Sequence, residues 1–111
     1  MNDLITRIVN AIFRQEGMSL TITNPGNLRG APWATNPSFK YGFWLPNSRN
    51  EGVAGAAHVV ALRIAMGESL EQLITAWAPP SDKNNTATYI QNVKNWANIP
   101  DEFKPLWDFI I

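Results

Sequence analysis

Glu16 is the residue of this chain best placed for acid chemistry. Ile5, Ile8, Val9, Ile12 and Phe13 recur at helical spacing and make one apolar stripe on a first helix. Glu16 follows four positions after Ile12, on that stripe, and Gly17 next to it is a good helix stop. Burial and the negative end of the helix dipole both disfavour the carboxylate anion, so the pKa rises toward the range of a general acid. The ordinary alternative is a glutamate that frays into solvent in the last helical turn.

Other chemistries have less to work with. There is no cysteine, hence no disulfide framework, thiolate nucleophile or zinc–thiolate site, and the single His58 does not favour a histidine metal site. No cofactor and no metal are expected. The nine basic residues are balanced by nine acidic ones and are dispersed along the chain, so nucleic acid is not an expected partner. No stretch is long and apolar enough to span a membrane, and Asp3 and Arg7 interrupt any signal-peptide pattern. Synthesis in the cytoplasm is expected, with any target outside it reached through other machinery.

The elements that must position Glu16 can be read from the same pattern. At 111 residues with 45% hydrophobic content, residues 1–111 are expected to form one domain with one core. The first helix runs to about Glu16. Met18 to Asn47 is rich in turn signals, and Asn24-Pro25-Gly26-Asn27 suits a type II turn with glycine at its third place. Leu20 to Thr23 and Phe39 to Leu45 suit short strands, giving a small β-rich or loop subdomain after the first helix.

Ser48-Arg49-Asn50-Glu51 is a capping box opening a second helix that Gly67 closes, which gives Glu51 a structural task. That helix is apolar nearly all round and is expected to be the buried centre, with His58 a hydrogen-bonded core residue. A second box, Ser69 to Gln72, starts a short helix that Pro79-Pro80 ends; another helix runs from Thr86 to Ala97, and a last one begins after Pro100. The fold class is mainly α (α+β).

The order of these features is itself informative. Glu16-Gly17, NPGNLR (Asn24 to Arg29), Phe43-Trp44 followed by Glu51-Gly52, and WAPPSDKNNTATYIQNV (Trp77 to Val93) together resemble the lysozyme-like superfamily, most closely small phage or prophage proteins related to soluble lytic transglycosylases. The resemblance implies a lysozyme-like fold, peptidoglycan glycan strands as partner, and Glu16 as the catalytic acid. It also makes Ala76-Trp77-Ala78-Pro79-Pro80 the counterpart of a site-lining Ala-Tyr-Asn-Ala-Gly segment. Thr86 and Tyr89 match the family's Glu-Thr-Arg-x-Tyr-Val segment, whose Glu and Arg are not present here. The implied place of action is the bacterial cell wall, reached through a virion, a lysis system or a secretion apparatus, by a monomer.

Cleavage between sugars needs an acid and a means of stabilising or capturing an oxocarbenium-like centre. A second carboxylate has weak candidates in Glu51, a cap, in Asp82, a loop residue, and in Glu68 and Glu71, which flank a helix start. A single-acid transglycosylase therefore suits the chain better than a hydrolytic muramidase, with a catalytically degenerate wall-binding or virion protein as the alternative from another class.

Arg29 is expected to meet substrate, to pair with Glu16, which would lower the acid's pKa, or to serve a surface or structural role. Tyr89 packs in the core or orients Glu16, while Asn24 and Asn27 are turn residues or sugar contacts. Of the five tryptophans, Trp77, Trp96 and Trp107 fall on apolar helix faces and suit the core. Trp33 and Trp44 lie in the insert near Glu16 and suit either a sugar-stacking cleft or packing within the insert.

Overall fold

The computed structural model describes residues 3–17, 23–40 and 42–110. Four helices and one two-stranded sheet follow in the order α1 (Asp3–Gln15), β1 (Ser38–Lys40), β2 (Phe43–Leu45), α2 (Arg49–Ala65), α3 (Leu70–Trp77) and α4 (Thr86–Trp96), with 3₁₀ turns at Pro80–Asp82 and Leu106–Phe109. The fold is mainly helical with a small sheet, as the periodicity predicts. Leu20 to Ile22, expected as a strand, lies outside the described residues, and Thr23 is in a bend.

The central element is α1, not α2. Leu4, Ile8, Val9, Ala11, Ile12 and Phe13 are all buried, and α1 packs against both α2 and α4. Each isoleucine taken fully out of water contributes roughly 1.5–3 kcal/mol. Three further contacts fasten α1 to the α4 region: Arg7 Nη1 donates to the Ala97 carbonyl at 2.7 Å, Asn92 Nδ2 donates to Gln15 Oε1 at 2.8 Å, and the Arg14 guanidinium lies 4.2 Å over the Trp96 ring.

The second helix is sided by residue size rather than by polarity. Gly52, Gly55, Ala56, Val60 and Ile64 are buried, while Leu62 and Met66 are exposed. Its small residues let other chain approach closely. A Cβ on Gly52 would stand 1.7 Å from the Thr23 carbonyl oxygen, and one on Gly55 would stand 2.5 Å from the Trp44 ring. An apolar count around the helix misses this, because glycine and alanine make room for neighbours instead of projecting into them. His58 is accordingly exposed, its ring centroid 5.0 Å from that of Trp33, and is not a core histidine.

Caps behave much as their residue types dictate. Ser48 Oγ accepts from the Glu51 N–H at 3.2 Å, but the Glu51 carboxylate turns back one residue further, to the Asn47 N–H at 3.2 Å. Ser69 and Gln72 form the complete reciprocal box on α3. Gly67, with φ +81°, follows α2 in the left-handed conformation, and Trp107 packs where its Cβ would be. The last helix is only a 3₁₀ turn, so Trp107 stays 50% exposed and is not core.

The insert has its own small core. Leu28, Ala31 and Trp44 are buried together, with Trp33 and Trp77 packed against them. Strands β1 and β2 pair antiparallel with Phe39 opposite Trp44 and Lys40 opposite Phe43. Side chains alternate along a strand, so Trp44 enters this core while Phe43 turns to the other face. Trp77 packs against both cores and joins them.

Candidate functional site

Glu16 occupies the turn after α1, where its N–H still donates to the Ile12 carbonyl at 2.9 Å. Gly17 takes φ +69° and ends the helix. The carboxyl group is half-buried at the inner edge of a cleft of about 410 Å³. Three segments line that cleft beside it: Asn27 to Arg29 with Phe43 from the insert, Val59 and Arg63 from α2, and Leu73 to Asn84 in part from α3 and the loop after it.

Burial raises the Glu16 pKa above the ordinary carboxylate value, and hydrogen bonding to Asn27 and then Tyr89 opposes the rise. Asn27 Nδ2 lies 3.4 Å from Glu16 Oε2, a long contact. Tyr89 is only 4% exposed, and its hydroxyl has no hydrogen bond of full geometry among the described residues. It is nonetheless near enough to Glu16 for each group to shift the other's titration. Burial and the Glu16 charge push the phenol well above its usual range. Tyr89 is thus a neutral phenol beside a carboxyl group whose pKa burial has raised.

The NPGN turn sets Asn27 in place, though not as a type II turn. The Asn27 N–H donates to the Asn24 carbonyl at 3.1 Å, and Asn27, not Gly26, takes the left-handed conformation with φ +52°. Gly26 serves close approach instead. A Cβ there would stand 2.8 Å from the Trp77 ring, whose indole N–H donates to the Gly26 carbonyl at 2.9 Å.

Asn24 is a structural hub. Its buried amide accepts from the Leu28 N–H and donates to the Leu28 and Trp44 carbonyls at 2.8 to 3.0 Å, so both of its donors are committed to backbone. The sequence signal for this role is the Asx preference for bonding nearby backbone, but its long-range arm to Trp44 has no local signature.

Arg29 does not pair with Glu16. Its guanidinium carbon lies 4.5 Å over the Phe43 ring, and its Nε lies 3.7 Å from Asp82 Oδ2. Asp82 therefore shares the cleft with Glu16, whereas Glu51 is held by backbone and does not line it. Arg63, overlooked in the sequence, also lines the cleft, its Nη1 donating to both Glu68 oxygens at 3.0 Å.

Three expected site residues are placed elsewhere. Trp44 is 2% exposed and fills the insert's core, because its strand position faces inward. Trp33 meets Trp44 edge-on at 5.5 Å and His58 on its outer side, away from the cleft lining. Thr86 is buried and donates its hydroxyl to the Ala78 carbonyl at 2.6 Å, fastening the start of α4 to the end of α3. Among the described residues, the aromatic groups that line the cleft are Trp77 and Phe43. Trp77 packs against both cores, as its apolar helix face predicts, and also lines the cleft together with Ala76, Ala78 and Pro79.

The arrangement can donate a proton from Glu16 to a ligand in the cleft, hold the emptied carboxylate with Asn27 and Tyr89, and offer Trp77 and Phe43 as flat apolar faces. Comparison with known protein-family models, with curated proteins and with solved structures gives no match for this chain.

Proposed function

We propose that this chain is a lysozyme-like, peptidoglycan-cleaving lytic transglycosylase that uses Glu16 as both acid and base. The observation that carries the reading is a half-buried carboxyl group with a raised pKa, at the end of α1, opening on a cleft beside Asn27 and Tyr89. The order of motifs around it supports the family.

In this mechanism protonated Glu16 gives its proton to the oxygen joining N-acetylmuramic acid to N-acetylglucosamine, and the bond from that oxygen to the muramoyl C1 breaks. The resulting carboxylate takes the proton of the muramoyl C6 hydroxyl while its oxygen bonds to C1, closing a 1,6-anhydro ring. Acid and base are one residue, so the proton count balances without water. The bacterial cell wall is the site of action, with delivery by a virion, a lysis system or a secretion apparatus.

A second reading is favoured by one observation. Asp82 lines the same cleft, and hydrolytic cleavage needs a carboxylate to activate water opposite the acid or to stabilise the cation. Mass spectrometry of fragments released from purified peptidoglycan separates the two. Anhydro-muramoyl ends, absent with Glu16→Gln, are expected; reducing ends would select the hydrolase. Wall binding by both proteins without release would select a binding protein.

A further inference from the structure

Two guanidinium groups line the cleft, and their bonding differs. Arg63 has both oxygens of Glu68 on its Nη1 at 3.0 Å, so its charge is satisfied internally. Arg29 is 57% exposed at its side chain, and its polar partner, Asp82, is 3.7 Å away and itself 43% exposed. That separation is beyond a direct hydrogen bond, and a solvated pair of this kind is weak. The Arg29 Cζ lies 4.5 Å from the Phe43 ring centroid, and among the described residues Asp82 is the charged group paired with it. A guanidinium so loosely paired can offer its fork to a carboxylate.

Resting on the glycan reading of the cleft, we infer that Arg29 is the residue that recognises a carboxylate on the substrate, and that Asp82 is the internal stand-in which the ligand's carboxylate displaces. The two side chains come from different segments that line the cleft, the insert and the turn after α3, so the loose pair lies within the cleft lining. Displacement exchanges one weak pair for a better-aligned one. A neutral glycan of N-acetylglucosamine alone offers no group to make that exchange, and the cleft discriminates against it.

Two carboxylates on a wall strand have the required chemistry: the lactyl group of a muramoyl unit lacking its peptide, and the acidic groups of an attached peptide. Both are tested by calorimetry on the Glu16→Gln protein, which prevents turnover. The probes are chitotetraose, the alternating glucosaminyl–muramoyl tetrasaccharide with free lactyl groups, and the same tetrasaccharide carrying L-Ala-D-Glu on each lactyl group.

At least one acidic probe is expected to bind about tenfold or more tightly than chitotetraose, the step that one well-formed charged contact gives. Adding Arg29→Gln removes the preference, and Arg29→Lys, which keeps charge but not the fork, restores only part of it. Adding Asp82→Asn instead tightens the preferred acidic probe while leaving chitotetraose unchanged. The preferred acidic probe identifies the source of the carboxylate.

Equal binding of all three probes, or a preference that survives Arg29→Gln, overturns the inference while leaving the glycan reading intact. So does Asp82→Asn weakening the acidic probe. Failure of all three to bind overturns both. Unchanged melting and circular dichroism in the Arg29→Lys protein exclude unfolding as the cause of any loss.

Discussion

The Trp77 indole N–H meets the Gly26 carbonyl at 2.9 Å, and the same ring occupies the space a side chain on residue 26 would need. One contact thus joins the insert to α3 and sets one side of the cleft. Gly26→Ala forces the ring or the turn to move, with a cost of about 1–3 kcal/mol as for other overpacked sites. Urea unfolding is expected to show this loss, and glycan cleavage to fall with it. Trp77→Phe loses both the hydrogen bond and the second ring that packs against the two cores, at a cost of about 1–3 kcal/mol.

Asn24→Ala strips three buried hydrogen bonds from the insert and leaves the Leu28 and Trp44 backbone groups without that partner. A loss of about 2–4 kcal/mol is expected in chemical denaturation. Asn24→Asp is a sharper test. It retains the acceptor for the Leu28 N–H but sets a second acceptor against two carbonyls, so it is expected to destabilise despite its nearly identical shape.

The raised pKa of Glu16 predicts a pH dependence of definite sign. Cleavage requires the protonated acid, so kcat/KM falls as pH rises through the folded-state pKa. Stability moves the same way. Between the unfolded and the raised folded pKa the native state binds more protons, so stability is lost as pH rises across that window. Glu16→Gln removes the dependence. It is expected to melt above the native protein at neutral pH, to lose this advantage below about pH 4, near the unfolded carboxylate value, and to lower cleavage by roughly 10²–10⁴-fold.

Tyr89→Phe separates orientation from packing. The hydroxyl is buried without a full hydrogen bond among the described residues, so its removal is expected to leave stability within about 0.5 kcal/mol or raise it slightly. It also removes an influence that lowers the Glu16 pKa, so the falling limb of the pH profile moves upward. The rate at the optimum is expected to fall about tenfold, the equivalent of one well-placed hydrogen bond of ~1.4 kcal/mol. A stability loss comparable to a cavity mutation would instead make Tyr89 a core residue only.

What could be read from the chain in advance was whatever local physics decides. The stripe Ile8, Val9, Ile12 and Phe13, the position of Glu16 four residues beyond Ile12, and the caps at Ser48 and Ser69 depend on spacing and on neighbours within one turn. Trp44, His58 and Trp107 were misplaced because their burial depends on which neighbour arrives from far along the chain. A strand of three residues gives too short an alternation to reveal which face is inside. On α2, the small residues Gly52 and Gly55 admit Thr23 and Trp44, leaving the bulkier Leu62 and Met66 outside. Arg63 and Asp82 enter the cleft for the same tertiary reason.

The bonds of Gln15 to Asn92 and of Arg14 to Trp96 have a consequence for how the acid works. They fasten the last turn of α1 to the helix that carries Tyr89, so the carboxyl group and the phenol share one rigid frame. Asn27 stands on another, the turn held by Asn24 and Trp77. Asn27 opposes the rise in the Glu16 pKa across a long contact, so the acid answers to two separate parts of the fold: the helix pair that buries it and the insert turn that supplies its amide partner.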